Sequence, residues 1–364
     1  MIVISLILTA LFTLTQTRGD AVKVTVKPQR VYIERGTSNQ FLHFDFLLEN
    51  KTKNKITLDS VQIAVFDHAN KLVLRKILDR HGLSPGIHTL PNTEIEAEQS
   101  IYLFNPFYSV DGSLVFETLR YEFVFSSHAE PSQFRIGVAV APIHYAAKAK
   151  LTLPLRGRVM VVGGHDFYAP HRRIDLTHPI ARAVGLKTNS ARYGSDLTII
   201  NENGDFYRGR GDHLKDWFGY DASVYSPAPG KVITLVDGIP DNTFASGQVV
   251  FSKLLSMNTP SGIFGNYVVL DHGHGEFSLF AHLKSGSFNV RQGDFVRRGQ
   301  AIARIGFSGN TDFVHTHYQL QNGADPATAE GLPSYFNNFR RILGSRSRWV
   351  SRGAIDTGDI VEAR

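Results

Sequence analysis

The chain has 364 residues, with 39 Lys and Arg against 33 Asp and Glu for a formal net charge of +6, and its 42% apolar and 20% charged residues are an ordinary globular balance that excludes a fibrous or wholly disordered chain. The sequence pI of about 9.4 suits an anionic surface such as cell wall or membrane, but the basic residues are scattered without a long Lys/Arg block, which disfavours nucleic acid. Cysteine is absent, so disulfides and thiolate metal sites are excluded and any ion must take His, Asp or Glu, the donors of a catalytic rather than a Cys-type structural zinc site.

Two domains with terminal extensions are expected at this length. Residues 2–14 form an apolar run of signal-peptide length, too short to span a bilayer, and 1–20 are read as a leader of an exported protein, periplasmic or extracellular. No Lys or Arg precedes the run, which departs from the usual leader pattern. No other stretch is long and apolar enough for a membrane span. Residues 21–153 read as short strands, at 22–26, 41–48, 61–66, 99–104, 119–126 and 134–141, punctuated by Gly, Asn, Asp and Pro. That spacing predicts a β-sandwich, immunoglobulin-like in type, that binds or positions. Residues 154–343 read as a second β-rich unit, with strands at 231–236, 267–271 and 277–282, and hold most of the histidines. Together the two halves predict an all-β chain. Residues 344–364 lack periodicity and are expected to be loosely ordered. Nothing in the sequence sets an oligomeric state.

Chemistry concentrates in the second unit. His315 and His317 stand two apart in an alternating run, so both face one side of a strand. One imidazole can then hold a metal while the other moves a proton. In the run Phe277-Ser278-Leu279-Phe280-Ala281-His282-Leu283, His282 is expected on the face opposite Leu279, Ala281 and Leu283. Gly273-His274-Gly275 reads as the hairpin tip before it. His165, His178, His213, His272 and His274 are read as solvated loop residues, and Tyr318 and Gln319 as alternating core and surface.

Five motifs follow in order: Gly265-Asn266-Tyr267-Val268-Val269-Leu270-Asp271-His272-Gly273, Ala281-His282-Leu283, Gly293-Asp294-Phe295-Val296 with Gly299-Gln300, Gly306-Phe307-Ser308-Gly309-Asn310, and His315-Thr316-His317. This order resembles the lysostaphin/LytM-type endopeptidases, over residues 157–321. The resemblance implies a small antiparallel β-fold, Zn2+ held by two His and one Asp, and cleavage of peptides in peptidoglycan or another peptide substrate. It makes His317 a zinc ligand, and His282 and His315 the two unligated catalytic histidines. Upstream, His171-Arg172-Arg173-Ile174-Asp175 has the family's usual spacing. Arg192-Tyr193-Gly194-Ser195-Asp196 resembles instead a subgroup with a His-Arg-Arg segment and a long insertion before the ligand Asp. Asp196 is preferred to Asp175 as the partner of His171, because it opens a β-branched run, whereas Asp175 precedes Leu176-Thr177-His178-Pro179, where proline favours a loop. His315 is expected to take the proton of the attacking water and His282 to stabilise the oxyanion, roles that can be exchanged.

Two other readings compete. A catalytically silent LytM-like module would bind cell wall or regulate another hydrolase, but such modules lose ligands and this chain keeps the set. Gly293 to Gln300 also resembles lipoyl and biotinyl carriers, which need a Lys at a hairpin tip within a Met-Lys-Met or Asp-Lys-Ala sequence that is missing here.

Overall fold

The computed structural model describes residues 21–127, 129, 133–252 and 259–363. The expected leader at 1–20 lies outside the described residues. The chain is mostly β, as expected, with two five-residue helices at Pro179–Ala183 and Pro260–Phe264 among the described residues. None of the described helices is long and apolar enough to cross a membrane.

Two compact units are present, and they do not divide at residue 153. The first is built from described residues up to Thr25, Leu47–Leu103 and Thr118–Val140, and the second from Val26–Phe46, Phe104–Glu117 and Ala141 onward. The first holds a five-stranded sheet and most residues of a three-stranded one. In the larger sheet, Thr118–Ser127 lies between Ile56–Phe66 and Gln133–Val140. Leu119, Tyr121, Phe123 and Phe125 are buried at alternate positions, as are Val61, Ile63 and Val65 opposite. This period of two makes the run a strand with one apolar face, each such side chain contributing about 1.5–3 kcal/mol on burial.

Residues 41–48 are two strands rather than the expected one. Asn39–Leu42 pairs with Tyr32–Arg35, and Asp45–Asn50 belongs to a different sheet. The break falls at His43 and Phe44, both fully buried. Here His43 Nε2 lies 3.0 Å from Glu34 Oε2 and the Phe44 carbonyl accepts from Arg172 Nη2 at 3.0 Å.

The second unit contains an eleven-stranded sheet. At its centre Thr316–Gln321 runs antiparallel to Phe277–Leu283 on one side and Ser195–Ile199 on the other. One face packs into a core that includes Leu197, Phe280, Tyr318, Leu320 and Phe336. The opposite face carries a smaller cluster of Phe264, Tyr267, Val269, Leu279 and Ala281. The stretch expected to be loosely ordered is part of this sheet. Phe336–Leu343 and Arg346–Gly353 form a hairpin across Gly344-Ser345, with Gly344 at φ +61°, and Ile360–Ala363 pairs with Phe336–Leu343 and Arg158–Gly163. Arg346–Gly353 is mostly exposed. Ladder hydrogen bonds hold it, so it carries no apolar stripe that reasoning from periodicity can detect.

Candidate metal centre

Strand register assembles the site. Asp196 on Ser195–Ile199 stands directly opposite His317 on Thr316–Gln321, and Ala281 flanks His317 on the other side. His315 sits just before the strand, two residues from His317, and shares its face. Both rings reach one carboxylate oxygen: Asp196 Oδ1 is 3.0 Å from His317 Nδ1 and 3.2 Å from His315 Nε2. His171 comes from an irregular segment, with Nε2 3.3 Å from the same oxygen. Ligand-type atoms of His171, Asp196 and His317 all lie within 4.8 Å of one another. Asp175 instead accepts from Thr177 N at 2.7 Å and Thr177 Oγ1 at 2.6 Å.

His282 reaches the site by breaking its strand's alternation. Leu279 and Ala281 lie in the small cluster, but Leu283 joins Phe280 in the main core, so the expected common face of Leu279, Ala281 and Leu283 is corrected. The cause is His282 itself, at φ +59°. A regular strand would turn it to the side of Phe280, whereas the left-handed residue brings its ring to 4.8 Å from that of His315 and 6.3 Å from that of His317. A non-glycine residue held there costs roughly 1–3 kcal/mol, a kind of strain concentrated at functional sites.

The partners behind each ring fix its tautomer. His171 Nδ1 faces the Gly164 carbonyl at 3.0 Å, His282 Nδ1 the Ser308 carbonyl at 2.8 Å, and His315 Nδ1 the Phe313 carbonyl at 3.0 Å. A carbonyl only accepts, so each Nδ1 carries the hydrogen and, in the neutral ring, each Nε2 keeps a lone pair. His317 is reversed. Gln321 Nε2 donates to the Gly323 carbonyl at 2.7 Å, Gln319 Nε2 donates to Gln321 Oε1, and Gln319 Oε1 therefore accepts from His317 Nε2 at 2.9 Å. This leaves the lone pair on His317 Nδ1, toward Asp196. Gln319, read from sequence as an ordinary alternating residue, holds the ring; every side chain of this strand is buried, so alternation gave no signal of its role.

Lone pairs of His171 Nε2 and His317 Nδ1 thus face a carboxylate oxygen. Acceptors set against acceptors at these distances call for a cation between them, and the nitrogen and oxygen donors fit zinc. Electrostatics express the same demand. Burial would raise the Asp196 carboxyl, but His171 and His315 hold it well below the usual carboxylate range. Burial likewise opposes charge on His171, yet Asp196 outweighs it and raises the imidazole. Burial lowers His317, and it drives His282 well below the ordinary range with help from His315 and His317.

The surroundings are closely built. A Cβ on Gly194 would come within 2.9 Å of both the Ala191 carbonyl and His317 Cε1, so only glycine admits the ring there. Behind His171, the fully buried Arg172 donates to His43 Nδ1 at 3.1 Å, to the Phe44 carbonyl at 3.0 Å and to Asp45 Oδ2 at 2.8 Å. A cleft of about 330 Å³ opens over the site, with Pro170, Ile174, Leu186, Ile263, Phe264 and Phe313 as its apolar walls.

Glu34, His43 and His165 form a second buried group with metal-ligand donors. His165 is buried, which corrects its reading as a solvated residue. Arg172 donates to His43 Nδ1, so His43 Nε2 carries its hydrogen and donates to Glu34. Burial opposes charge on Glu34, yet His165 and His43 bring it down to about 2, and burial lowers His43 to about 4. The group is a hydrogen-bonded ion cluster, with the His43 lone pair already engaged by arginine.

Residues 218–329 match the model of Peptidase family M23. That stretch contains His282, His315 and His317, while His171 and Asp196 precede it. The chain is 30% identical over 160 residues to the peptidoglycan DD-endopeptidase ShyA of Vibrio cholerae, covering 37% of this chain and 35% of that protein. It is 32% identical over 89 residues to the DD-carboxypeptidase/endopeptidase Mpg of Neisseria meningitidis, covering 24% and 19%. The matches thus span about a third or less of these curated relatives. A solved zinc-containing peptidase from Vibrio cholerae is 13% identical over 83% of each chain, with a TM-score of 0.29. The C-terminal part of this chain carries a domain of peptidase family M23.

Proposed function

We propose that the chain is an exported zinc-dependent endopeptidase that hydrolyses peptide bonds of peptidoglycan, in the subgroup marked by His171-Arg172-Arg173 and a long insertion before the ligand Asp. The observation that carries this reading is the convergence of His171, Asp196 and His317 beside two further histidines in one cleft. His171 Nε2, Asp196 and His317 Nδ1 would hold the ion. Zinc supplies Lewis acidity, which polarises a carbonyl and makes water nucleophilic near neutral pH.

The remaining work falls to the chain's own groups. His315 and His282 each present Nε2 as an acceptor, with Nδ1 tied to a backbone carbonyl. Either ring can take the proton of the attacking water. The ring that holds it becomes a donor to the oxyanion or to the leaving amine, so base and stabiliser are two states of a pair. His315 is the first choice for the base. The apolar walls of the cleft exclude water from the scissile bond.

Peptidoglycan as substrate is supported by the likeness to the peptidoglycan DD-endopeptidase ShyA, and export by the apolar run at 2–14. The first compact unit, built mainly from Leu47–Leu103 and Thr118–Val140, is proposed to bind or position the substrate for the peptidase of the second. Digestion of purified peptidoglycan, with fragments identified by mass, tests the reading. Release should stop with a chelator and return with zinc. A chain that binds zinc and releases nothing is the silent, regulatory module instead.

A further inference from the structure

A second cavity, of about 580 Å³, lies within the second unit and shares no lining residue with the metal cleft. One wall is the hairpin of Phe336–Leu343 and Arg346–Gly353, and another comes from strand Tyr32–Arg35 with its neighbour Ile143–His144. Four arginines, Arg35, Arg341, Arg348 and Arg352, line it against one lining carboxylate, Asp356. We propose that this cavity is a binding site for an oxyanion-bearing ligand, a phosphate or a carboxylate.

Strand register concentrates the charge. Arg348, Val350 and Arg352 stand at alternate positions of Arg346–Gly353 and all line the cavity. Arg348 is the direct cross-strand partner of Arg341. Like charges directly opposite each other in a sheet are destabilising, and an anion between them relieves that cost. Arg341 is 8% exposed and pairs with Asp359 at 2.9 Å and the Ala354 carbonyl at 2.6 Å. Its Nε, however, is buried without a hydrogen-bond partner among the described residues. A buried guanidinium donor left unmatched costs about 1–3 kcal/mol, and Arg341 lines the cavity with that donor unspent.

The other arginines are available. Arg35 and Arg348 are exposed, and neither side chain makes an ion pair or hydrogen bond among the described residues. Arg352 lies over the Tyr335 ring, 5.0 Å from its centroid, which orders its planar fork. Guanidinium groups so arranged match the two-oxygen edge of phosphate or carboxylate. Ile33, Tyr145, Tyr335 and Val350 add apolar and aromatic surface. The ligand therefore carries an oxyanion on a body with some apolar or ring character.

The test is calorimetric titration of the full chain with inorganic phosphate, pyrophosphate and citrate at matched ionic strength. Saturable one-to-one binding of at least one probe is expected, weakened at least ten-fold by Arg348→Gln and by Arg35→Gln, with unfolding curves unchanged. Binding should persist in Asp196→Ala. Preference for pyrophosphate assigns a phosphate ligand and preference for citrate a carboxylate. Absence of saturable binding by all three probes overturns the proposal. So does binding that ignores both arginine substitutions, or that vanishes with Asp196→Ala and thus belongs to the metal centre.

Discussion

Arg172 and Asp45 meet as a bidentate pair with water excluded, Nη2 at 2.7 Å from Oδ1 and Nη1 at 2.8 Å from Oδ2, the two side chains 0% and 1% exposed. Asp45 Oδ2 also accepts from Arg192 Nη1 at 2.7 Å, and Arg192 Nε donates to Glu330 at 2.7 Å. Arg172 follows His171 directly, and Arg192 precedes Asp196 by four residues. One carboxylate therefore ties down both segments that deliver the upstream site residues. Removing it leaves the buried Arg172 guanidinium without a carboxylate and Arg192 with Glu330 alone, so Asp45→Ala should cost about 3–5 kcal/mol in denaturant unfolding. A loss within the scatter of surface substitutions would show that the cluster does not anchor these segments.

His282 and His315 adjoin the proposed ligands but are not counted among them. Alanine at either position should lower turnover of peptidoglycan by roughly 10²–10⁴-fold, the range of one general acid or base. Metal analysis should still find one zinc per chain. Full turnover in either variant would remove that residue from the chemistry, and loss of zinc would make it a ligand.

Gln319 sets which nitrogen of His317 has the lone pair, through the relay that ends at the Gly323 carbonyl. Partners behind a metal-binding imidazole typically govern affinity by 10–100-fold. Gln319→Leu should therefore weaken zinc by about that factor in competition with a fluorescent chelator. Unchanged affinity would mean that packing alone holds the ring.

Stripping the metal should loosen the second unit. An ion that binds only the folded chain adds about 2.7 kcal/mol at a free concentration one hundred times its Kd. Thermal unfolding with and without chelator measures this, and coincident curves would contradict a metal held in the folded state.

Much of the site was legible because its chemistry lies in short, regular segments. His315-Thr316-His317 and the β-branched run after Asp196 announce two strands, and their pairing then fixes Asp196 opposite His317. Other features left no local trace. The turn of His282 toward His315 depends on a left-handed φ that no neighbouring glycine signals. Glu34, His43 and Asp45 stand far from the motifs in sequence, and only tertiary contact joins them to His165, Arg172 and Arg192. The polar hairpin strand Arg346–Gly353 shows no apolar period and so read as loose chain.

The choice of carboxylate gives the most direct test of the proposed ligand set. Asp175 has the shorter sequence distance from His171, but its Oδ1 is occupied by the amide and hydroxyl of Thr177 in a local turn. Asp196 is held by a strand ladder, and its Oδ1 lies 3.3, 3.2 and 3.0 Å from His171, His315 and His317. A Cβ on Gly163 would meet Asp196 Oδ2 at 2.8 Å, so the neighbouring backbone also leaves space for this carboxylate. Asp196→Ala should then abolish stoichiometric zinc and activity together, while Asp175→Ala, which removes only a turn interaction, should retain both with a stability loss of about 1 kcal/mol. Zinc content after dialysis decides between them: retention in Asp196→Ala with loss in Asp175→Ala would reverse the assignment.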